Sequence, residues 1–295
     1  MSPLKGTGVA LVTPFKADSS VDYDALDKLI DHLILGGVDY LVSLGTTGET
    51  PVLSKQEKVD IINFTCDKAS AKLPVVVGIG GNDTATMLSD FDTLPLDRVA
   101  YILSASPYYN KPSQEGIFQH YQTLAAHAPL PIILYNVPGR TGRNMEASTT
   151  LRIANEVENV IGIKEASGNM VQCMELLRER PAGFLVLSGD DDLVMPQIAC
   201  GMDGVISVAA NAFPSIFSDM IRYSLQMDFV QAKIWNDKLY HAYRLMFAEN
   251  NPAGVKAFLA EMGIIQNVLR LPLVPLSKQY HQQITEVISK INGKA

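Results

Sequence analysis

Lys164 interrupts an otherwise apolar run, VIGIK at 160–164, and an amine in such a place can do nucleophilic chemistry. Strand alternation puts Gly162 and Lys164 on one face, Ile161 and Ile163 on the other. With the isoleucines facing outward, the amine points into an enclosed interior and Gly162 leaves space beside it. Desolvation favours the neutral amine, the form that attacks a carbonyl to give a Schiff base. A structural lysine paired with a carboxylate is the competing reading, and the residues alone leave both open. The adjacent Glu165 should point the opposite way.

Other polar groups stand at the ends of similar runs. GTTGET at 45–50 offers the hydroxyls and backbone N–H groups of Thr46 and Thr47, with glycines that let the chain approach a small anion such as a carboxylate. Ser54 and Glu57 have the spacing of a capping box that would start a helix. YYNKP at 108–112 and YNVPGRTG at 135–142 bring phenols that can relay protons, together with Arg140, whose planar fork suits a carboxylate. Taken singly, a packing tyrosine, a surface arginine or a plain turn explains each of these; their coincidence at run ends beside Lys164 favours function. SGDDD at 188–192 is read as Asp190 or a neighbour capping the following helix rather than as a cation site. The histidines show no metal-ligand spacing, and no metal is expected. Cys66, Cys173 and Cys200 lie far apart without a CxxC pair and read as buried free thiols of a reducing cytosol.

These groups need a scaffold that gathers run ends. GVALVTPF at 8–15, YLVSLG at 40–45, PVVVGIG at 74–80 and VAYILSASP at 99–107 are short and rich in Val, Ile and Leu. PIILYNVP at 131–138, VIGIKEAS at 160–167, FLVLSGDD at 184–191 and GVISVAAN at 204–211 continue the series. Between them lie stretches with apolar residues every three or four positions, as in YDALDKLIDHLILGG. Strands apolar throughout are covered on both faces, which suits a parallel sheet wrapped by crossover helices. Eight such units predict a (β/α)8 TIM barrel, with catalytic groups at the C-terminal strand ends. An open doubly wound sheet is the alternative, but no glycine-rich dinucleotide fingerprint opens the series. From about residue 225 helical spacing takes over, predicting a catalytic barrel at 1–224 and a C-terminal three-helix extension at 225–295. A hydrophobic share of 47% fits a globular chain, and a net charge of −7 excludes the basic field that nucleic acid requires. No export signal and no membrane-length apolar run is present, so a cytoplasmic protein is expected.

GTTGE, PYYNKP, YNVPGRTG, IKEASGN, SGDD, GVISV and NPAGVK, in this order along the chain, resemble the pyruvate-dependent class I aldolases, the family of dihydrodipicolinate synthase and N-acetylneuraminate lyase. The resemblance implies that Lys164 condenses with pyruvate and that the imine tautomerises to an enamine, which attacks an aldehyde. It implies that Tyr135 relays protons, that Thr46 links the relay, and that Tyr109 completes it from a neighbouring subunit. Thr47 would hold the pyruvate carboxylate, and Gly189 and Ile206 would line the pocket. No cofactor is implied, the protonated imine being the electron sink. Arg140 resembles the arginine that binds L-aspartate 4-semialdehyde in the synthase branch, whose product, 4-hydroxy-tetrahydrodipicolinate, belongs to lysine biosynthesis through diaminopimelate. The rivals are a pyruvate aldolase acting on a sugar acid or hydroxy-oxo acid and, in another class, a non-catalytic carboxylate-binding barrel. The resemblance also implies a homotetramer built as a dimer of dimers. Asn82 and Tyr108 match the site where L-lysine inhibits some relatives. Thr50, Pro51, Lys55, Lys58 and Thr86 depart from it, and two lysines make a poor cradle for an ammonium, so weak or absent inhibition is expected.

Overall fold

Side chains that alternate between two buried faces build the sheet. In the computed structural model, which describes residues 4–69 and 72–293, the strands divide their side chains between two apolar clusters. Along β5 (Ile132–Asn136), Ile133 and Tyr135 enter an inner cluster with Val42, Val76, Leu103, Leu187 and Ile206. Ile132 and Leu134 enter an outer one with Leu41, Val75, Ile102 and Val205. Both faces are apolar because the inner cluster fills the barrel and the outer one lies beneath the helices.

The other strands are β1 (Gly6–Ala10), β2 (Tyr40–Ser43), β3 (Val75–Gly78), β4 (Tyr101–Ala105), β6 (Val160–Glu165), β7 (Leu185–Ser188) and β8 (Gly204–Ser207). Each pairs in parallel with the next, and β8 closes onto β1. The predicted TIM barrel is therefore the observed fold, at the predicted run positions. An open sheet would have left two edges. Gly8 has a packing reason: a Cβ there would lie 2.1 Å from the ring of Tyr40, which fills the base of the barrel and donates to the Val205 carbonyl.

Five of the helices around the wall begin where the sequence supplies side-chain caps. α1 (Tyr23–Leu35) is capped by Asp22, α3 (Thr84–Thr93) by Asp83, α4 (Gln114–His127) by Ser113 and α7 (Met170–Glu179) by Asn169. At α2 (Lys55–Ala69) the capping box forms, the Glu57 carboxylate accepting from Ser54 N–H and the Ser54 hydroxyl from Glu57 N–H. α5 (Pro138–Thr141), α6 (Ala147–Glu156), α8 (Val194–Ala199) and α9 (Pro214–Leu225) complete the alternation. Cys66 and Cys173 are buried as expected, but Cys200 is exposed. It follows α8 and falls off the face on which Val194, Gln197 and Ile198 are buried.

Three further helices follow, α10 (Phe229–Met246), α11 (Ala253–Glu261) and α12 (His281–Ile291), and α10 packs along α9. Among the described residues no helix is long and apolar enough to cross a membrane. The segment after α11 is clamped to the barrel by Arg270. Its guanidinium takes the Glu57 carboxylate with both terminal nitrogens, donates to the Ser19 and Val52 carbonyls, and lies 4.4 Å from the ring centre of Phe15.

Hydrogen bonding to Arg270 holds the Glu57 carboxyl well below its ordinary range, at about 2. A carboxyl lowered in the folded state contributes stability that is complete above its unfolded value and is lost as pH falls through the folded one. Glu57→Gln should therefore lower the melting temperature by a constant amount above about pH 5 and by a shrinking amount from there towards pH 2. Thermal melts of both proteins across that range check it; a gap that widens on acidification contradicts the clamp.

Candidate active site

Register fixes the centre of the site. Tyr135 on β5 is the direct neighbour of Lys164 on β6, and both point inward, so the lysine Nζ stands 4.5 Å from the centre of the tyrosine ring. Lys164 is only 5% exposed. The next residue pair, Asn136 and Glu165, points outward, as alternation requires.

Two details differ from the sequence expectation. The β5–β6 register slips between Ile132 and Ile133, so Ile161 lies in the irregularity and packs against the inner cluster instead of facing the helices. Gly162 does not make room for the lysine: a Cβ there would lie 2.7 Å from the Leu185 carbonyl, so its smallness serves strand packing. The room comes from Gly189, where a Cβ would lie 2.9 Å from Lys164 Cε and 2.5 Å from Ala166 Cβ.

Lys164 opens into a cleft lined by Thr46, Thr47, Tyr135, Val137, Arg140, Gly189, Asp190, Phe247 and Asn251, among others. Thr46 and Thr47 begin a 3-10 turn, Thr46–Gly48, bracketed by two non-glycine residues of positive φ, Leu44 at 56° and Glu49 at 55°. The turn lies tight against β3, where a Cβ on Gly78 would come within 2.3 Å of the Leu44 carbonyl. Its own backbone bonds are donated by Gly48 and Glu49. Arg140, on α5, reaches across the mouth to Asn250 Oδ1 at 3.4 Å and the Asn251 carbonyl at 3.3 Å. Asn251 Nδ2 in turn donates to Thr47 Oγ1 at 2.9 Å.

Three carboxyls lie behind the lysine. Glu165 is fully buried and accepts from Asn136 Nδ2, Gln172 Nε2 and the Ser167 N–H. Asp191 is buried and accepts from the Val208 and Ala209 N–H groups, so it caps the turn Ala209–Asn211 after β8. The expected cap of the helix after SGDDD is absent: α8 starts at Val194 without a side-chain cap, and Asp191 instead accepts from the turn after the neighbouring strand β8. Asp190 lines the cleft, and its Oδ2 is buried without a partner. Burial pushes the carboxyls of Asp190 and Asp191 up to about 6, against the pull of the Lys164 charge.

Of the residues singled out in the sequence, Lys164, Tyr135, Thr46, Thr47, Arg140 and Gly189 converge on this cleft. Ile206 lies in the inner cluster of the barrel with Tyr135 and Leu187. Tyr109 stands 88% exposed, on a backbone of φ 71°. Tyr108 is exposed on the same loop, and that loop is tied to Asn82 by Asn110 Nδ2 donating to the Asn82 carbonyl. Lys55 and Lys58 occupy the first turn of α2. Sequence reasoning missed Asp191, Phe247 and Asn251. Asn251 opens the NPAGVK motif, so it carried a signal, but only the folded chain shows it meeting Thr47.

The sequence model of the dihydrodipicolinate synthetase family matches residues 3–291. The 4-hydroxy-tetrahydrodipicolinate synthase of Parabacteroides distasonis is 50% identical over 99% of this chain and 98% of its own. The crystal structure of dihydrodipicolinate synthase from Aquifex aeolicus superposes with a TM-score of 0.94 at 37% identity, covering 98% of each chain. That of the chloride-inhibited synthase from Acinetobacter baumannii, complexed with pyruvate, gives 0.94 at 38% identity over 99% of this chain and all of its own.

Gly189→Ala should displace the Lys164 side chain at a cost of about 1–3 kcal/mol. The readouts are a lower melting temperature and slower imine formation with a small 2-oxo acid, trapped by borohydride. If both stay at the wild-type level, the space beside Lys164 is not set by Gly189.

Proposed function

The chain belongs to the dihydrodipicolinate synthetase family, and we propose that it works through an imine between Lys164 and pyruvate. It condenses pyruvate with L-aspartate 4-semialdehyde to give 4-hydroxy-tetrahydrodipicolinate. The observation that carries the assignment of the nucleophile is a buried lysine amine beside a tyrosine ring, in a cleft that also holds two threonines and an arginine.

In this reading the Lys164 amine attacks C2 of pyruvate, and loss of water leaves the imine. The cationic nitrogen draws electrons from C3, which loses a proton and becomes the enamine carbon. That carbon bonds to the aldehyde carbon, the aldehyde oxygen takes a proton, and the amino group of the semialdehyde then adds to the imine carbon, closing the ring and expelling the Lys164 amine. Tyr135 is adjacent to the nitrogen and serves these transfers, with Thr46 continuing the relay. The N–H groups of Thr46 and Thr47, which the bonds of the turn leave unused, suit the pyruvate carboxylate. Arg140 at the rim suits the carboxylate of the semialdehyde and disfavours a polyhydroxylated chain, which separates this activity from that of a sugar-acid aldolase. The exposure of Tyr109 supports a phenol that completes the relay in a neighbouring subunit, within a homotetramer made of paired dimers. Two buried free thiols, Cys66 and Cys173, support work in a reducing cytosol.

Borohydride reduction with pyruvate should add the reduced adduct to the peptide bearing Lys164, and Lys164→Ala should abolish it; an adduct elsewhere refutes the assignment. Arg140→Ala should raise KM for the semialdehyde by roughly ten- to hundredfold, the loss expected of a charge-assisted contact, and leave pyruvate binding nearly unchanged. Weak feedback is the further expectation: Lys55 and Lys58 present positive charge near Asn82 in the sequence pattern of the inhibitor site, and half-maximal inhibition at submillimolar L-lysine would contradict it.

A further inference from the structure

Glu49 is a non-glycine residue in the left-handed region, at φ 55°, with its side chain wholly inside the protein. Such a conformation costs of order 1–3 kcal/mol and persists only where the surroundings over-determine it. Both carboxylate oxygens are engaged here. Oε1 pairs with the ammonium of Lys256, itself fully buried, and Oε2 accepts from the Arg270 N–H at 3.0 Å. The ammonium is equally committed. It also donates to the Val268 carbonyl at 3.0 Å and stands 4.2 Å from the ring centre of Phe15.

Glu49 immediately follows the turn Thr46–Gly48, and Lys256 lies on α11, outside the barrel proper. Five residues earlier in the same segment, Asn251 donates to Thr47 Oγ1. One short stretch of the C-terminal extension therefore grips the turn at two points. From the barrel side, Thr13 Oγ1 donates to the Gly48 carbonyl at 2.8 Å.

We propose that Glu49 and Lys256 are positioning residues for the pyruvate carboxylate: their buried ion pair holds the turn so that its threonines face Lys164. Neither touches substrate. The inference rests on the reading of the turn as the carboxylate site. It assigns part of the C-terminal extension a role in substrate binding as well as in packing.

Lys256→Met alone strands the Glu49 carboxylate in the interior, where an uncompensated charge is strongly destabilising. The test therefore uses the uncharged pair Glu49→Gln/Lys256→Met, with Glu49→Asp as a second variant that keeps the ion pair and shortens the tether. Full-length wild-type and variant proteins are compared by thermal melt, by steady-state kinetics in both substrates, and by borohydride trapping at saturating pyruvate. For whichever variant melts cooperatively, KM for pyruvate should rise about tenfold or more while kcat stays within about threefold, the signature of lost binding rather than lost chemistry. Trapping at saturating pyruvate should still label Lys164. An unchanged pyruvate KM overturns the proposal. So does an equal rise in both KM values, because general loosening of the mouth predicts that result. If wild-type enzyme gives no adduct on Lys164, the assignment of the nucleophile fails instead, and the two failures are distinguishable.

Discussion

The register between β5 and β6 is the constraint on which the site depends. Because Tyr135 pairs with Lys164 and Asn136 with Glu165, one step along the strands separates an interior pair facing the cleft from an exterior pair. A slip of one residue would exchange them, turning the carboxylate into the barrel and the amine out under the helices. Glu165 opposes such a slip. Its carboxylate accepts from Asn136, Gln172 and the backbone of Ser167, and that set of donors exists only on the outer side. A buried charge without them would be severely penalised, so the hydrogen bonds that satisfy Glu165 also fix the direction in which Lys164 points.

The register alone leaves the mouth undefined. The strands end at the level of the lysine, and the groups that would recognise substrates are carried by turns after β2 and β5. Turns of this kind have few bonds of their own, so their order must come from neighbours. Here it comes from outside the barrel. Asn250 and Asn251 meet Arg140 and Thr47, Lys256 meets Glu49, and Arg270 secures the start of α2. The helical extension is thus part of the active-site frame although it contributes few lining residues.

The fold was legible because its cause is local and repeated. Eight apolar runs alternating with amphipathic stretches state the period of each element, and the flanking caps state where helices begin. Capping by Ser54 and Glu57 formed as the spacing required. Lys164, Tyr135 and Arg140 were legible for a related reason: polar residues at the ends of apolar strands face the same end of a parallel barrel. What stayed hidden depends on contacts across long stretches of chain. Asp191 reaches the turn after β8 instead of its own helix, and Glu49 finds Lys256 more than two hundred residues away. The irregularity at Ile161 was hidden because alternation assumes an unbroken ladder. The misassigned role of Gly162 shows the same limit, since sequence marks where a side chain is missing but not which neighbour needs the space.

The carboxyls behind the lysine bear on the chemistry through charge. Asp190 and Asp191 both have their ionised forms opposed by burial and favoured by the positive charge of Lys164. A cation at that position therefore favours the carboxylates. On the proposed reading of Lys164 as the imine-forming residue, a neutral carbinolamine leaves the carboxylates without that support, and the protonated imine restores the charge at almost the same place. The Oδ2 of Asp190 is buried without a hydrogen-bond partner, so among the described residues its tie to Lys164 is one of charge alone.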